Sequence, residues 1–226
     1  KYLNSPETPL FHKRRTLYGL FQARDAARAA QEVVVAEGYT DVLALAQAGL
    51  GQAVAPLGTA LTEAQMGLLW KVAPALVLCF DGDRAGREAA LHAVERALGL
   101  LQPGYTIRVA LLPDGEDPDS LIKAGGAAAM EARLAEAEGL ADFLWRRETE
   151  GRRLDTPDAK AALEKRLNDH AEAIGDATLR AHYRKDFNNR LWPPKVPWTR
   201  RGRTPADTAP RMAERSGAAI HVDAKR

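Results

Sequence analysis

The chain has 226 residues, 46% of them hydrophobic and 27% charged, which is enough apolar material for one substantial core and excludes a disordered protein. No apolar run approaches the ~20 residues that a membrane span needs, and the opening residues lack the apolar stretch of a secretory signal, so a cytoplasmic protein without membrane contact is expected. The formal charge of +2 conceals a segregation: residues 1–30 carry +4, residues 195–226 carry +5 and the centre, 31–194, carries −7.

An acidic centre between basic arms suits a metal-loaded site with phosphate-binding surroundings, while solvated surfaces with a basic tail are the plainer account. The opening, "KYLNSPETPLFHKRR", has no initiator Met and reads as the interior of a domain, so the chain is expected to continue upstream. Residues 1–30 are taken as a basic segment from the end of a preceding subdomain.

From Gln31 onward two periodicities alternate. "EVVVAEG" (Glu32 to Gly38), "GQAVAPLG", "ALVLCFDG" (Ala75 to Gly82) and "TIRVALLPDG" are short apolar runs closed by glycine, the pattern of strands covered on both faces. Between them lie the helical patterns "TDVLALAQAG", "TEAQMGLLWKVA" with a Thr62 to Gln65 capping box, and "RAGREAALHAVERALGLL". This order predicts an α/β layer with a parallel sheet flanked by helices over 31–126. Helices alone are predicted next: one over 127–151, one over 156–174 with Thr156 as N-cap and Pro157 in its first turn, and one over 176–192. They form a helical subdomain over 127–192, and the Pro-, Arg- and Thr-rich stretch over 193–226 is expected to be a linker or flexible basic tail.

Cys79 is the single cysteine, so neither an internal disulfide nor a zinc ribbon is available; its strand context predicts a buried apolar residue. The acidic residues are more informative. Glu37 ends one predicted strand, Asp81 and Asp83 end another, and "LPDGEDPDSL" follows the last with Asp114, Glu116, Asp117 and Asp119. Parallel strands deliver such residues to the carboxyl edge of the sheet, where doubly wound folds place ligands. If the first two strands are neighbours, about 4.8 Å apart, three carboxylates come within reach of one hard cation. Such a cluster repels itself unless neutralised, and oxygen donors favour Mg²⁺ or Mn²⁺ over zinc.

Gly82 is expected to give the backbone freedom to aim both aspartates at one space. An EF-hand does not fit, because Ala85 and His92 stand where a calcium loop needs oxygen donors. Asp41, in a first helical turn, has a simpler account as a partner of the helix dipole. Arg84 and Arg87 stand at a helix start, unfavourably for cations, and need a counter-anion: the nearby acids or a substrate phosphate.

The motifs "EGYTDVLAL", "FDGDRAGR" and "DGEDPDSL", in that order, resemble the Toprim domain of bacterial replicative primases. "KYLNSPETPLFHKRRTLYGL" resembles the basic segment that precedes it in primases of the DnaG type. The resemblance runs clearly from Lys1 to about Leu121, extends through the helices to Trp192 and does not reach the tail. It implies Mg²⁺-dependent synthesis of short RNA primers on single-stranded DNA from ribonucleoside triphosphates. By resemblance Glu37 is the general-base or metal position, Asp81 and Asp83 the metal-binding pair, and Asp117 and Asp119 a further acidic pair.

Lys1, Asn4 and Lys13 correspond by resemblance to positions that contact nucleotide phosphate or template, and Tyr39 to one lining the nucleotide site. The family's amino-terminal zinc-binding domain has no counterpart in this sequence, and contact with the replicative helicase is expected through a carboxy-terminal region not present here. Toprim-type nucleic-acid cleavage, or a catalytically incomplete fragment that binds metal and single-stranded DNA, are the competing readings of the same carboxylates.

Overall fold

A computed structural model describes residues 11–193. The elements follow in chain order: β1 (Leu17–Tyr18), α1 (Leu20–Ala30), β2 (Glu32–Val35), α2 (Tyr39–Gln47), β3 (Ala53–Pro56), α3 (Glu63–Trp70) and β4 (Ala75–Phe80). They continue with α4 (Arg84–Leu98), β5 (Thr106–Leu111), α5 (Pro118–Ala135), β6 (Glu138–Gly139), α6 (Leu140–Thr149), α7 (Pro157–Glu172) and α8 (Ala177–Leu191).

The strands form one sheet in the order β1-β3-β2-β4-β5-β6. Its four central strands are parallel, as their unbroken apolar runs predict, and β2 and β4 are indeed neighbours, with Val35 opposite Leu78. The two edge strands depart from the expected parallel layer. Each is two residues long and antiparallel, β1 on β3 and β6 on β5. Strands this short bury too few residues to leave a periodic signal, and they cap edges that would otherwise expose unpaired backbone.

Alternate residues of the central strands feed two cores. Val33, Val35, Leu76, Leu78 and Phe80 face α1, α3, α4, α6, α7 and α8, whereas Val34, Ala36, Val77 and Cys79 face α2 and α5. Cys79 is 1% exposed, and burial pushes its thiol up to about 12, so it packs as an apolar residue.

The helix signals are realised at the ends they mark. Thr62 Oγ1 accepts from the Gln65 amide at 3.2 Å while Gln65 Oε1 accepts from the Thr62 amide at 2.9 Å. Thr156 caps α7 through the Ala159 amide at 3.2 Å, with Pro157 in the first turn. Each such cap is worth about 1 kcal/mol.

One expectation needs correction and two gain detail. The basic segment over 1–30 contains β1 and α1 in its described part; α1 escaped notice because its seams, Ala23 and Ala27, are small residues between arginines. The single helix over 127–151 is two helices interrupted by β6, since the backbone of Glu138 and Gly139 pairs with β5 instead of continuing a helix. Finally, α5 begins at Pro118 and is kinked at Gly126, where φ is 72°, at the point where the expected subdomain boundary falls. The helices beyond it share a core with the sheet through Leu140, Phe143, Leu144, Leu163 and Phe187. The tail expected over 193–226 lies, from residue 194, outside the described residues.

Candidate metal and nucleotide site

The register of β2 on β4 sets Glu37 level with Phe80, one residue before Asp81, at the carboxyl edge of the sheet. The Asp81 amide donates to Glu37 Oε1 at 3.1 Å, so the two strand ends are tied directly across the gap. Asp83 is the N-cap of α4, its Oδ1 accepting from the Gly86 amide at 2.7 Å. Asp83 therefore serves as a helix cap and keeps a second oxygen beyond it.

Two glycines set how tightly this edge closes. A Cβ on Gly82 would stand 2.1 Å from the Pro113 carbonyl oxygen and 2.2 Å from that of Leu112. The need for glycine at Gly82 is thus a close approach between the ends of β4 and β5, a reason separate from the backbone freedom expected of it. A Cβ on Gly86 would stand 2.3 Å from the Asp81 carbonyl oxygen and 2.7 Å from Glu37 Oε1. Gly86 was not singled out from sequence, although its place in the first turn after an Asp cap is the signal that marks it.

The second acidic group arrives on α5. Asp117 caps that helix through the Ser120 amide at 2.7 Å, and the Asp117 amide donates back to Ser120 Oγ at 3.0 Å. Because α2 and α5 lie on the same face of the sheet, the first turn of α5 faces Asp41 in the first turn of α2. Asp41, 8% exposed, accepts from the Gly38 amide at 2.9 Å. Its carboxyl is pushed up by burial and by the charges of Asp117 and Asp119, even against the Gly38 bond. Asp41 therefore joins the cluster, beyond the dipole role expected of it.

Asp81 is the electrostatic centre. Burial first, then Glu37, Asp41, Asp117 and Asp83, raise its carboxyl from 3.8 to about 7. Its Oδ1 is buried and without a hydrogen-bond partner among the described residues. Glu37 is likewise raised, by burial and by the Asp83 and Asp41 charges, against the lowering effect of the Asp81 amide. An orphaned carboxylate oxygen among like charges, all hard donors, fits a divalent cation. The cage is open: among the described residues no three Asp, Glu, His or Cys side chains are spaced to hold a metal by themselves. A hydrated ion that also takes substrate oxygens suits such a partial set.

The arginines after "DGD" find protein partners. Arg84 pairs with Glu88 at 2.9 Å and Arg87 with Asp114, which answers the counter-anion question with nearby acids. Asp119 is engaged by Lys123 Nζ at 2.6 Å. Tyr39 opens α2 directly after Gly38, 39% exposed, its ring 5.7 Å from that of Tyr18. Lys13 is half-buried, and its carbonyl accepts from Gln65 Nε2 at 3.0 Å. Lys1 and Asn4 lie outside the described residues.

Fold and site together define a Toprim-bearing chain: residues 34–122 match the Toprim-like family. Two further matches flank it, the N-terminal domain of the DNA primase catalytic core over 1–24 and the DnaB-helicase binding domain of primase over 141–191. DNA primase of Escherichia coli K12 is 44% identical over 191 residues, covering 84% of this chain and 33% of that protein. A crystal structure of a DNA primase domain from Pseudomonas aeruginosa superposes with a TM-score of 0.79 at 44% identity, over 84% of this chain and 59% of that one. A structure of the DnaG primase catalytic domain bound to ssDNA gives 0.76 at 43% identity, over 84% and 61%.

The chain belongs to the DnaG-type bacterial DNA primase family. It spans about a third of the length of the Escherichia coli relative. The Toprim class is metal-dependent, in agreement with the donor chemistry at Asp81. The match over 141–191 corrects one expectation, since it gives this chain a segment of the helicase-binding kind that had been placed beyond its end. The signal was lost because α6 to α8 read as ordinary amphipathic helices packed on a core. Among the described residues no helix is long and apolar enough to cross a membrane.

Proposed function

We propose that this chain is the metal-bearing portion of a primase catalytic core, joining ribonucleoside triphosphates into short RNA primers on a single-stranded DNA template in the cytoplasm. The observation that carries this reading is the convergence of Glu37, Asp81 and Asp83 on one sheet edge, with the buried Asp81 Oδ1 left without a partner. The ssDNA-bound DnaG neighbour supports the template assignment.

In this reading Glu37, Asp81 and Asp83 hold a divalent ion, Mg²⁺ by donor chemistry with Mn²⁺ as the substitute, and Asp117 and Asp119 support a second. When bound, such ions lower the pKa of the attacking 3′ hydroxyl and neutralise charge on the triphosphate. The protein's own contribution is positional. The bond from the Asp81 amide orients Glu37, the α4 cap fixes one oxygen of Asp83, and burial with the neighbouring charges raises the Glu37 carboxyl, which favours its holding a proton. Lys1, Asn4, Lys13 and Tyr39 are assigned to phosphate, template and nucleotide contacts.

The functional division follows the sequence: a basic segment over 1–30, the Toprim domain over 31–126, a helical subdomain over 127–192 and a basic tail over 193–226. Residues 141–191 are assigned to contact with the replicative helicase, in keeping with their family match.

The test is ribonucleotide incorporation on single-stranded DNA, with and without Mg²⁺, by this chain and by one extended at its amino terminus to the length of its relatives. Template-dependent, Mg²⁺-dependent products from the extended chain are expected. Nicking of supercoiled DNA without ribonucleotides, and no incorporation, would replace primer synthesis by Toprim-type cleavage.

A further inference from the structure

Helix α5 is two rods joined at a bend, and the first of them carries the second acidic group. Asp117 caps the helix, Asp119 stands in its first turn, and the interruption falls at Gly126, where φ is 72° and ψ is −176°. A regular helix has values of about −63° and −42°. We infer that Gly126 is a positioning residue for the second ion: its bend aims Asp117 and Asp119 at the acidic edge of the sheet. This rests on the assignment of that pair to a second divalent ion.

Conformation alone demands glycine at this point. A Cβ on Gly126 would meet no atom of the surrounding structure within 4 Å, so a methyl group has room and only the positive φ opposes it. The bend is tight beside it, since a Cβ on Gly125 would stand 2.6 Å from the Ala129 Cβ. Both glycines are exposed. Glycine inside a helix is destabilising relative to alanine. A bend on the surface, with no packing of its own to satisfy, has its consequence at the end of the helix that it redirects.

The two halves are anchored unequally. Beyond the bend, Met130 and Leu134 are buried in the core shared with α2, and the Leu134 carbonyl accepts from Arg108 Nη1 at 3.4 Å, which ties that half to β5. Before it, Leu121 and Ile122 are only partly buried against the same core, so the angle at Gly126 decides where the first half points. Asp117 lies nine residues before Gly126. At a rise of about 1.5 Å per residue that is a lever of ~13 Å, and a change of ~20° in the bend carries its acidic end by ~5 Å, more than twice an Mg–oxygen distance. The charge of Asp117 now reaches both Asp41 and Asp81, and a displacement of that size takes it away from them.

The test is titration of Mn²⁺ into the 226-residue chain followed by electron paramagnetic resonance, which counts bound ions without turnover, with thermal melting as a check on folding. The variants are Gly126→Ala, Asp119→Asn and Gly104→Ala. Gly104, in the turn before β5, has φ 94° and open space around a Cβ, so alanine there imposes a similar backbone strain at the opposite end of the sheet. The parent should take up one tight and one weaker ion, and Asp119→Asn should lose the weaker. Gly126→Ala should weaken that second step by about 10–100-fold, the loss usual for groups that orient a ligand, and keep the first. Gly104→Ala should melt lower by a similar margin with both steps unchanged.

A folded Gly126→Ala that keeps both steps would overturn the positioning role and leave the second-ion assignment standing. So would a loss shared equally by Gly104→Ala, or the loss of both steps together, since either reports general destabilisation. A parent with a single step, or a second step that Asp119→Asn leaves untouched, would overturn the second-ion assignment and the role of Gly126 with it. Should Gly126→Ala fold too poorly to titrate, Ala127→Gly carries the test, because it loosens the bend without forcing its φ. A severalfold weaker second step is then expected, and an unchanged one overturns the role.

Discussion

Asp81 shows how one carboxyl reports the purpose of its surroundings. Burial and four neighbouring carboxylates raise it from 3.8 to about 7. Between these values the folded chain keeps a proton on Asp81 that the unfolded chain has released. Raising the pH through that window therefore costs stability in the absence of metal. Exchange of Asp81 for Asn keeps the shape and removes the charge. The variant is expected to melt at a higher temperature than the parent in metal-free buffer at pH 8, and to lose the parent's gain in melting temperature when Mg²⁺ is added. Thermal denaturation with and without Mg²⁺ measures both. A parent indifferent to Mg²⁺, or a variant as responsive as the parent, would mean that the repulsion at this edge is balanced by protein groups alone.

At the scale of elements, two polar devices hold the site's framework in register. Gln65 belongs to the α3 capping box and also clamps the 12–16 turn, using both protons of its amide. Gln65→Leu would strand the carbonyls of Lys13 and Thr16, at a cost of about 1–3 kcal/mol for each one left buried without a partner. Urea unfolding should show a lower midpoint with an unchanged slope, and hydrogen exchange should show faster exchange at the Thr16 amide.

Glu148 on α6 is the second device. It receives Arg166 Nε at 2.6 Å and lies 3.1 Å from His170 Nε2, both on α7. Burial pushes its carboxyl up, but the bonds and charges of His170 and Arg166 outweigh burial and hold it below its usual 4.5. A depressed carboxyl contributes stability that is present above the unfolded value and lost as the pH falls through the folded one. Glu148→Gln should therefore lower the melting temperature at pH 7, with the gap from the parent narrowing in acid below the usual carboxylate range. A constant gap across that range would remove the ion pairs as its cause.

Over the whole molecule, what sequence made legible depended on how much local chemistry each feature commits. The four central strands and the α3 and α7 caps were readable because apolar runs and Thr, Pro and Gln punctuation act within a few residues. The edge strands were not, since β1 and β6 are two residues long and exist only because a neighbour's backbone needs pairing. In the site, Glu37, Asp81 and Asp83 were legible from strand ends that must share an edge. Asp41 and Gly86 emerge only when α2 is set against α5, and α4 against β2. The helicase-binding match over α6 to α8 was hidden for the opposite reason: core packing accounts for the apolar spacing of these helices without any partner.

The central claim is that the carboxyl edge of β2 and β4 is a divalent-metal site. Electron paramagnetic resonance of Mn²⁺ titrated into the folded chain reads occupancy without requiring turnover. The parent should take up Mn²⁺ in competition with Mg²⁺, and Asp81→Asn should lose most of that uptake while keeping its fold. Equal uptake by parent and variant would contradict the claim and place any bound metal elsewhere.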